Sequence, residues 1–401
     1  MKYDFESLID RKNTNSLKWD LFGDEYPMWV ADMDFKAAPL IYESVNRKAE
    51  HGIYAYSYVN DNLFDSYINW WKRYGLDMEK GQLLFANGVM PSITSIIRAF
   101  SDVGDNVLVQ SPVYHVFFYV IEDNGRNVVE NELVYNPDSD SVDDTYTIDF
   151  DDLDEKMSDS RTKLMLLCNP HNPIGKIWDR ETLEHIALLA KKHDVIVVSD
   201  EIHCDLTDPD ITYTPFASLD EDLSNNSFTC ISPSKTFNIA GLQSSAVFTR
   251  NESLYSILEN QLAKDFFSHP NIFVIDATIA AYESEDWLLE LRQVIYENKL
   301  FLSKFLKKEI PNIRLVPSDL TYLLWLDISK INDEFNMGSN ELSDFLRDEV
   351  GLFLSPGAQF GECGDNFLRI NIACPKELLK EGLNALKEGI EKLNETMNNK
   401  E

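Results

Sequence analysis

The chain has 401 residues, 44% of them hydrophobic, enough to bury sizeable cores in two domains or in one large α/β domain with an accessory lobe. Lys plus Arg number 36 against 68 Asp plus Glu, a formal net charge of -32 that repels nucleic acid and anionic membrane surfaces and argues against both as partners. The five cysteines are odd in number and form no C-x-x-C pair, which argues against a disulfide framework or a structural zinc site and for a reducing cytoplasm. No apolar run approaches the roughly 20 residues of a membrane span, and the charged N-terminal segment does not read as a signal peptide. A cytoplasmic location is the expectation.

From Met1 to Asp34 the chain is aromatic and mixed in charge without clear periodicity, and reads as an ordered arm ending in Pro27-Met-Trp-Val-Ala-Asp-Met-Asp-Phe35. Trp19 and Trp29 there fit a core or a subunit interface better than a ligand contact. A helix is expected from Pro39, then a tyrosine-rich loop over 51–57. A second helix capped by Asp61 and ended by Gly75 follows. Leu83-Leu-Phe-Ala86 is a short buried run, after which Asn87-Gly-Val-Met-Pro-Ser92 opens a helix whose first N–H groups can hold a phosphate.

The pattern continues with a strand over 106–110, a turn at Ser111-Pro-Val-Tyr114, a helix from His115 to Asp123 and a strand over 127–131. The aspartate-rich stretch from Asp138 to Asp159 reads as a solvated loop leading into a short helix. Three further strands end in polar turns: Lys163 to Cys168 in Asn169-Pro-His-Asn-Pro-Ile-Gly175, Val195 to Ser199 in Asp200-Glu-Ile-His203, and Phe228 to Ile231 in Ser232-Pro-Ser-Lys235. A helix from Asp179 to His193 separates the first two. Strand-helix alternation implies a parallel sheet flanked by helices, with a ligand crevice at the carboxyl ends of the strands. Beyond Gly241 helices are expected over 252–266, 271–282 and 286–308, the last with Leu288, Leu289, Leu291, Ile295 and Leu302 as its apolar stripe and long enough to bridge two domains. Strands over 313–316, 322–327 and 367–372, with helices over 341–350 and from Lys376, suggest a second, smaller α/β domain.

One sheet edge thus collects an amine (Lys235), a carboxylate (Asp200), an amide (Asn172) and a helix N-terminus at Gly88 to Met90. Alone, Lys235 would be a weak signal, since most lysines are solvated. Together the four match the needs of pyridoxal phosphate: a lysine to anchor the aldehyde, a carboxylate for the ring nitrogen, an amide for the ring hydroxyl and N–H groups for the phosphate.

At these residues the chain resembles the fold-type I class I/II aminotransferase superfamily, through Asn169-Pro-x-Asn-Pro-x-Gly175, Ser199-Asp-Glu-x-His203 and Ser232-x-Ser-Lys235 in that order. Trp19-Asp20, Pro27 to Phe35, Asn169-Pro-His-Asn-Pro173 and Ser234-Lys-Thr-Phe-Asn-Ile-Ala-Gly-Leu242 look like its cystathionine β-lyase-like branch of carbon-sulfur lyases. The resemblance implies an α/β fold with a large domain over 48–285, built on a mostly parallel seven-stranded sheet, and a small domain formed by 286–401 with the N-terminal arm, 1–47. It implies that Lys235 carries pyridoxal 5'-phosphate and shuttles protons, Asp200 pairs with the ring nitrogen and Asn172 bonds the ring hydroxyl. It further implies that Tyr114 stacks on the ring, and that Ser232, Ser234, Val89 and Met90 hold the phosphate with Tyr56 of a second subunit. Arg369 would clamp the α-carboxylate of an amino-acid substrate.

Two departures from the wider superfamily stand out: Gln243 where an arginine commonly follows the lysine, and His203 where a tyrosine commonly follows the aspartate. Both tilt the expectation toward elimination. His203 reads equally as a cofactor contact or a packed core histidine. Tyr114, Tyr56 and Arg369 have core or surface-pair alternatives. The expected activity is a carbon-sulfur β-lyase acting as a homodimer with shared sites; the rivals are an aminotransferase and a non-catalytic regulatory protein on the same fold.

Overall fold

A computed structural model describes residues 2–398. Its centre is a seven-stranded sheet. In chain order the strands are β1 (Leu83–Ala86), β2 (Asn106–Val109), β3 (Asn127–Glu130), β4 (Thr162–Cys168), β5 (Ile196–Asp200), β6 (Ser227–Ile231) and β7 (Ser245–Phe248). Across the sheet the order is β1-β7-β6-β5-β4-β2-β3, and β7 alone runs antiparallel to its neighbours. Both faces are buried, as a parallel sheet requires. On β4, Leu164, Leu166 and Cys168 join one core cluster while Met165 and Leu167 join the other, the alternation that a period of two dictates.

A smaller four-stranded antiparallel sheet contains β8 (Arg314–Leu315), β9 (Leu323–Asp327), β10 (Ser355–Pro356) and β11 (Phe367–Asn371), ordered β8-β9-β11-β10. The helix Glu285–Glu309 ties the two sheets together. Its Arg292 Nε and Lys299 Nζ each reach, at 2.7 Å, the Thr207 carbonyl and the Asp208 carboxylate beyond β5, while Asn298 Nδ2 donates to Ile372 and Cys374 carbonyls after β11 at 3.0 and 2.9 Å. The arm is ordered through a buried ionic cluster: Lys18 Nζ lies 2.6 Å and Arg11 Nη1 2.7 Å from Asp34, which also accepts Trp19 Nε1 at 2.8 Å.

Several expectations need correction. Ser245-Ala-Val-Phe248 forms the strand β7, where the sequence beyond Gly241 reads as helical. Asn60, not Asp61, caps the helix Asp61–Trp71, its side chain accepting from the Leu63 N–H. Leu289 does not belong to the buried stripe of its helix; it is 52% exposed. Most aspartates of the acidic stretch face solvent and it leads into the helix Phe150–Ser158, but Thr145, Tyr146 and Ile148 are buried, and Val134–Tyr135 and Tyr146–Thr147 pair as a short ladder.

Candidate active site

All strands of the parallel part except the edge strand β3 deliver a functional residue where they stop. Val89 and Met90 follow β1 and open the helix Val89–Phe100; Tyr114 follows β2; Asn172 follows β4; Asp200 ends β5; Lys235 follows β6. The N–H groups at the start of that helix have no intrahelical acceptor and so are available to an anion. The turn carrying Asn172 is shaped by Gly175, at φ +69, where a Cβ would come within 2.5 Å of Ser318 Cβ. Cys168 Sγ accepts the Asn172 N–H at 3.4 Å and fixes the same turn.

Val89, Met90, Tyr114, Asn172, Asp200, His203 and Lys235 all line one cavity of about 210 Å³. Lys235 is half-buried, and desolvation of its amine, reinforced by the Arg369 charge, pulls it down to about 8. Its Nζ donates to the Ala31 carbonyl at 2.7 Å. Burial pushes the Asp200 carboxyl up to about 7 against the opposing pull of the Ile202 N–H and the Lys235 amine; a cation placed beside it would restore its charge. His203 is buried, its Nδ1 has no partner, and burial holds its ring neutral, with a pKa of about 3.

Arg369 is only 4% exposed, and no carboxylate lies within ion-pair reach of it among the described residues. Nη1 donates to Asn172 Oδ1 at 3.3 Å and Nη2 to the Trp29 carbonyl at 3.0 Å, Phe360 packs under the guanidinium, and Nε is buried without an acceptor. Burial lowers its pKa to about 10. A buried cation lacking its counter-anion is costly unless a ligand supplies one.

Other anticipated residues sit apart from the cavity wall. Ser232 Oγ lies 2.6 Å from the Ser244 carbonyl and 2.8 Å from Ser234 Oγ, so the Ser232 hydroxyl is committed to its own neighbours, the Ser244 carbonyl and the Ser234 hydroxyl. Tyr56 is fully exposed and lines a wider groove of about 560 Å³ that shares no residue with the Lys235 cavity. Gln243 is exposed at a left-handed turn. Ala31, Trp29 and Tyr322 were missed as site residues. The first two act through main-chain carbonyls, which leave no side-chain signature, and Tyr322 reads in the sequence as one more residue of an apolar strand.

The profile of the family described as aminotransferase class I and II matches residues 36–386. The chain belongs to that family. It is 38% identical to the cystathionine beta-lyase PatB of Bacillus subtilis (strain 168) over 96% of this chain and 98% of the relative. Among solved structures, cystalysin from Treponema denticola, which contains a pyridoxal 5'-phosphate cofactor, superposes with a TM-score of 0.91 at 31% identity, covering 98% of this chain and all of that one. The pyridoxal-phosphate-bound C-S lyase from Staphylococcus hominis does so with a TM-score of 0.89 at 30% identity over 97% and 98%. The donor set fits this cofactor on chemical grounds: a desolvated amine, a buried carboxylate, an amide whose Nδ2 is unused among the described residues, and free helix N–H groups line one cavity.

Proposed function

We propose that the chain is a pyridoxal-phosphate-dependent carbon-sulfur β-lyase that acts on cystathionine or a related cysteine S-conjugate, consuming water and releasing pyruvate, ammonia and a thiol. The observation that carries an amino-acid substrate is Arg369, a buried guanidinium without a counter-anion, bonded to the Asn172 side chain that lines the Lys235 cavity. Similarity over nearly the whole chain to proteins named as cystathionine beta-lyase and C-S lyase supports elimination over transamination.

When bound, the cofactor supplies the electron sink that makes the substrate α-carbon acidic. Lys235 anchors it and takes the α-proton; an amine near 8 is neutral in a useful fraction at physiological pH, as a general base needs. Asp200 would keep a proton on the ring nitrogen, and the unused Nδ2 of Asn172 would serve the ring oxygen. Tyr114 would pack against the ring, and neutral His203 adds an uncharged wall to the same cavity. The Val89 and Met90 N–H groups and Ser234 would hold the phosphate, with Ser232 ordering the turn behind them. Arg369 takes the α-carboxylate in a two-bond fork and so orients the substrate. An aminotransferase would use the same residues up to removal of the α-proton and would then require a keto acid. Turnover that needs no keto acid distinguishes the two.

The enzyme acts in the cytoplasm as a homodimer. Among the described residues no helix is long and apolar enough to cross a membrane. The loop around Tyr56 exposes Ile53, Tyr54, Tyr56 and Tyr58 together, an apolar patch that a partner subunit would cover. Tyr56 then completes the phosphate site of the partner. Mixing Tyr56→Phe and Lys235→Ala proteins under exchange conditions should yield heterodimers with one intact site and more activity than either parent. A mixture no more active than the Tyr56→Phe protein alone would contradict shared sites.

A further inference from the structure

The carbonyl that accepts the Lys235 amine has a second donor, the Tyr322 hydroxyl. We propose that Tyr322 is a positioning residue for this lysine, its hydroxyl and the Ala31 carbonyl together forming the seat that the Lys235 amine occupies whenever it is not holding the cofactor. The proposal rests on the reading of Lys235 as anchor and proton carrier given above.

Ala31 O accepts Lys235 Nζ at 2.7 Å and Tyr322 Oη at 3.3 Å. A carbonyl oxygen has two lone pairs, so both donors can be served at once. The carbonyl is aimed by its neighbours on either side. Asn371 Nδ2 donates to the Val30 and Asp32 carbonyls at 2.5 and 2.6 Å, and Asn238 Oδ1 accepts the Met33 N–H at 3.0 Å. Asn238 lies three residues beyond the lysine and Asn371 two beyond Arg369. The segment is therefore pinned from both of the loops and strands that carry the chemistry.

Tyr322 is equally fixed. Its side chain is fully buried, its ring meets His203 edge-on at 6.4 Å, and its own carbonyl accepts the Ile372 N–H at 2.8 Å. Burial raises the phenol well above its ordinary range, so the hydroxyl stays a donor at every working pH. While the lysine is engaged elsewhere, Tyr322 keeps the part-buried Ala31 carbonyl from being left without a donor. When the amine is released it meets an acceptor already oriented, instead of one that must reorganise. Displacement of a catalytic group by about 1 Å can cost on the order of 100-fold in rate, so a modest loosening of this seat is expected to show.

The test is Tyr322→Phe in the cofactor-loaded enzyme, which keeps the ring and removes only the hydroxyl. Three quantities are read: the Kd for pyridoxal phosphate, kcat and KM for elimination, and the rate at which the α-hydrogen of L-alanine exchanges with deuterium, followed by NMR. We expect kcat and the exchange rate to fall together by roughly tenfold, with KM and the cofactor Kd within about threefold of wild type. A kcat and exchange rate within twofold of wild type would overturn the proposal, as would a cofactor Kd weakened as much as kcat, which marks a merely structural role. If the phenylalanine variant does not fold, Tyr322→Met is read by the same criteria, and failure of both to fold assigns Tyr322 to packing and ends the proposal. Exchange on alanine breaks no carbon-sulfur bond. A wild-type protein that exchanges alanine but cleaves no thioether would therefore sink the lyase reading and leave this one open to the same measurement.

Discussion

Lys235→Ala protein should lose the visible absorbance of the lysine-bound cofactor and lose turnover by more than the roughly 10²- to 10⁴-fold that general acid-base catalysis alone contributes. Both losses follow from one group. Among the described residues Lys235 is the only lysine lining the cavity, so none of them replaces it there as anchor or base, and its amine is desolvated to about 8. Borohydride reduction of the wild-type protein, followed by peptide mapping, should leave the cofactor mass on the peptide that contains Lys235. A Lys235→Ala protein that still fixes the cofactor on reduction would place the anchor on another lysine.

Arg369→Lys should have the second-largest effect, and a different signature. The guanidinium can make two parallel charge-assisted bonds to a carboxylate, a fork that an ammonium cannot reproduce. Truncating one partner of a buried charge-assisted pair costs on the order of 2 to 5 kcal/mol, so kcat/KM should fall by roughly 30-fold to several thousand-fold. The cofactor absorbance should stay unchanged, because Arg369 bonds to Asn172 Oδ1 and leaves its Nδ2 free. Loss of colour would assign the residue to the cofactor or the fold. A kcat/KM within about threefold of wild type would place the carboxylate clamp elsewhere.

The parts of this site that were legible in the sequence are those written in side chains on strand-terminating turns. Asn172, Asp200 and Lys235 each follow a short apolar run, and once three such runs are read as adjacent parallel strands their ends must fall on one edge. What escaped was structure held by the main chain or disguised by composition. The Ala31 carbonyl has no residue-type signature at all. The strand β7 begins with serine, is four residues long and is buried throughout, so it lacks the alternation that marks a half-exposed strand. Ser355–Pro356 is shorter still, yet it brings Ser355 to 3.4 Å from Arg369. Leu289 fits an apolar helical period but falls on the outer side of the stripe, since periodicity locates a face only to within one residue or so. The commitment of Ser232 to Ser244 likewise depends on β7, the strand that periodicity did not reveal.

The central claim is that carbon-sulfur elimination is what these residues perform together, and product analysis tests it most directly. Purified enzyme given cystathionine and pyridoxal phosphate, with no keto acid, should release pyruvate, ammonia and a free thiol in equal amounts. Release of pyruvate only when a keto acid is added, or the appearance of the substrate's own keto acid with its carbon-sulfur bond intact, would contradict the account.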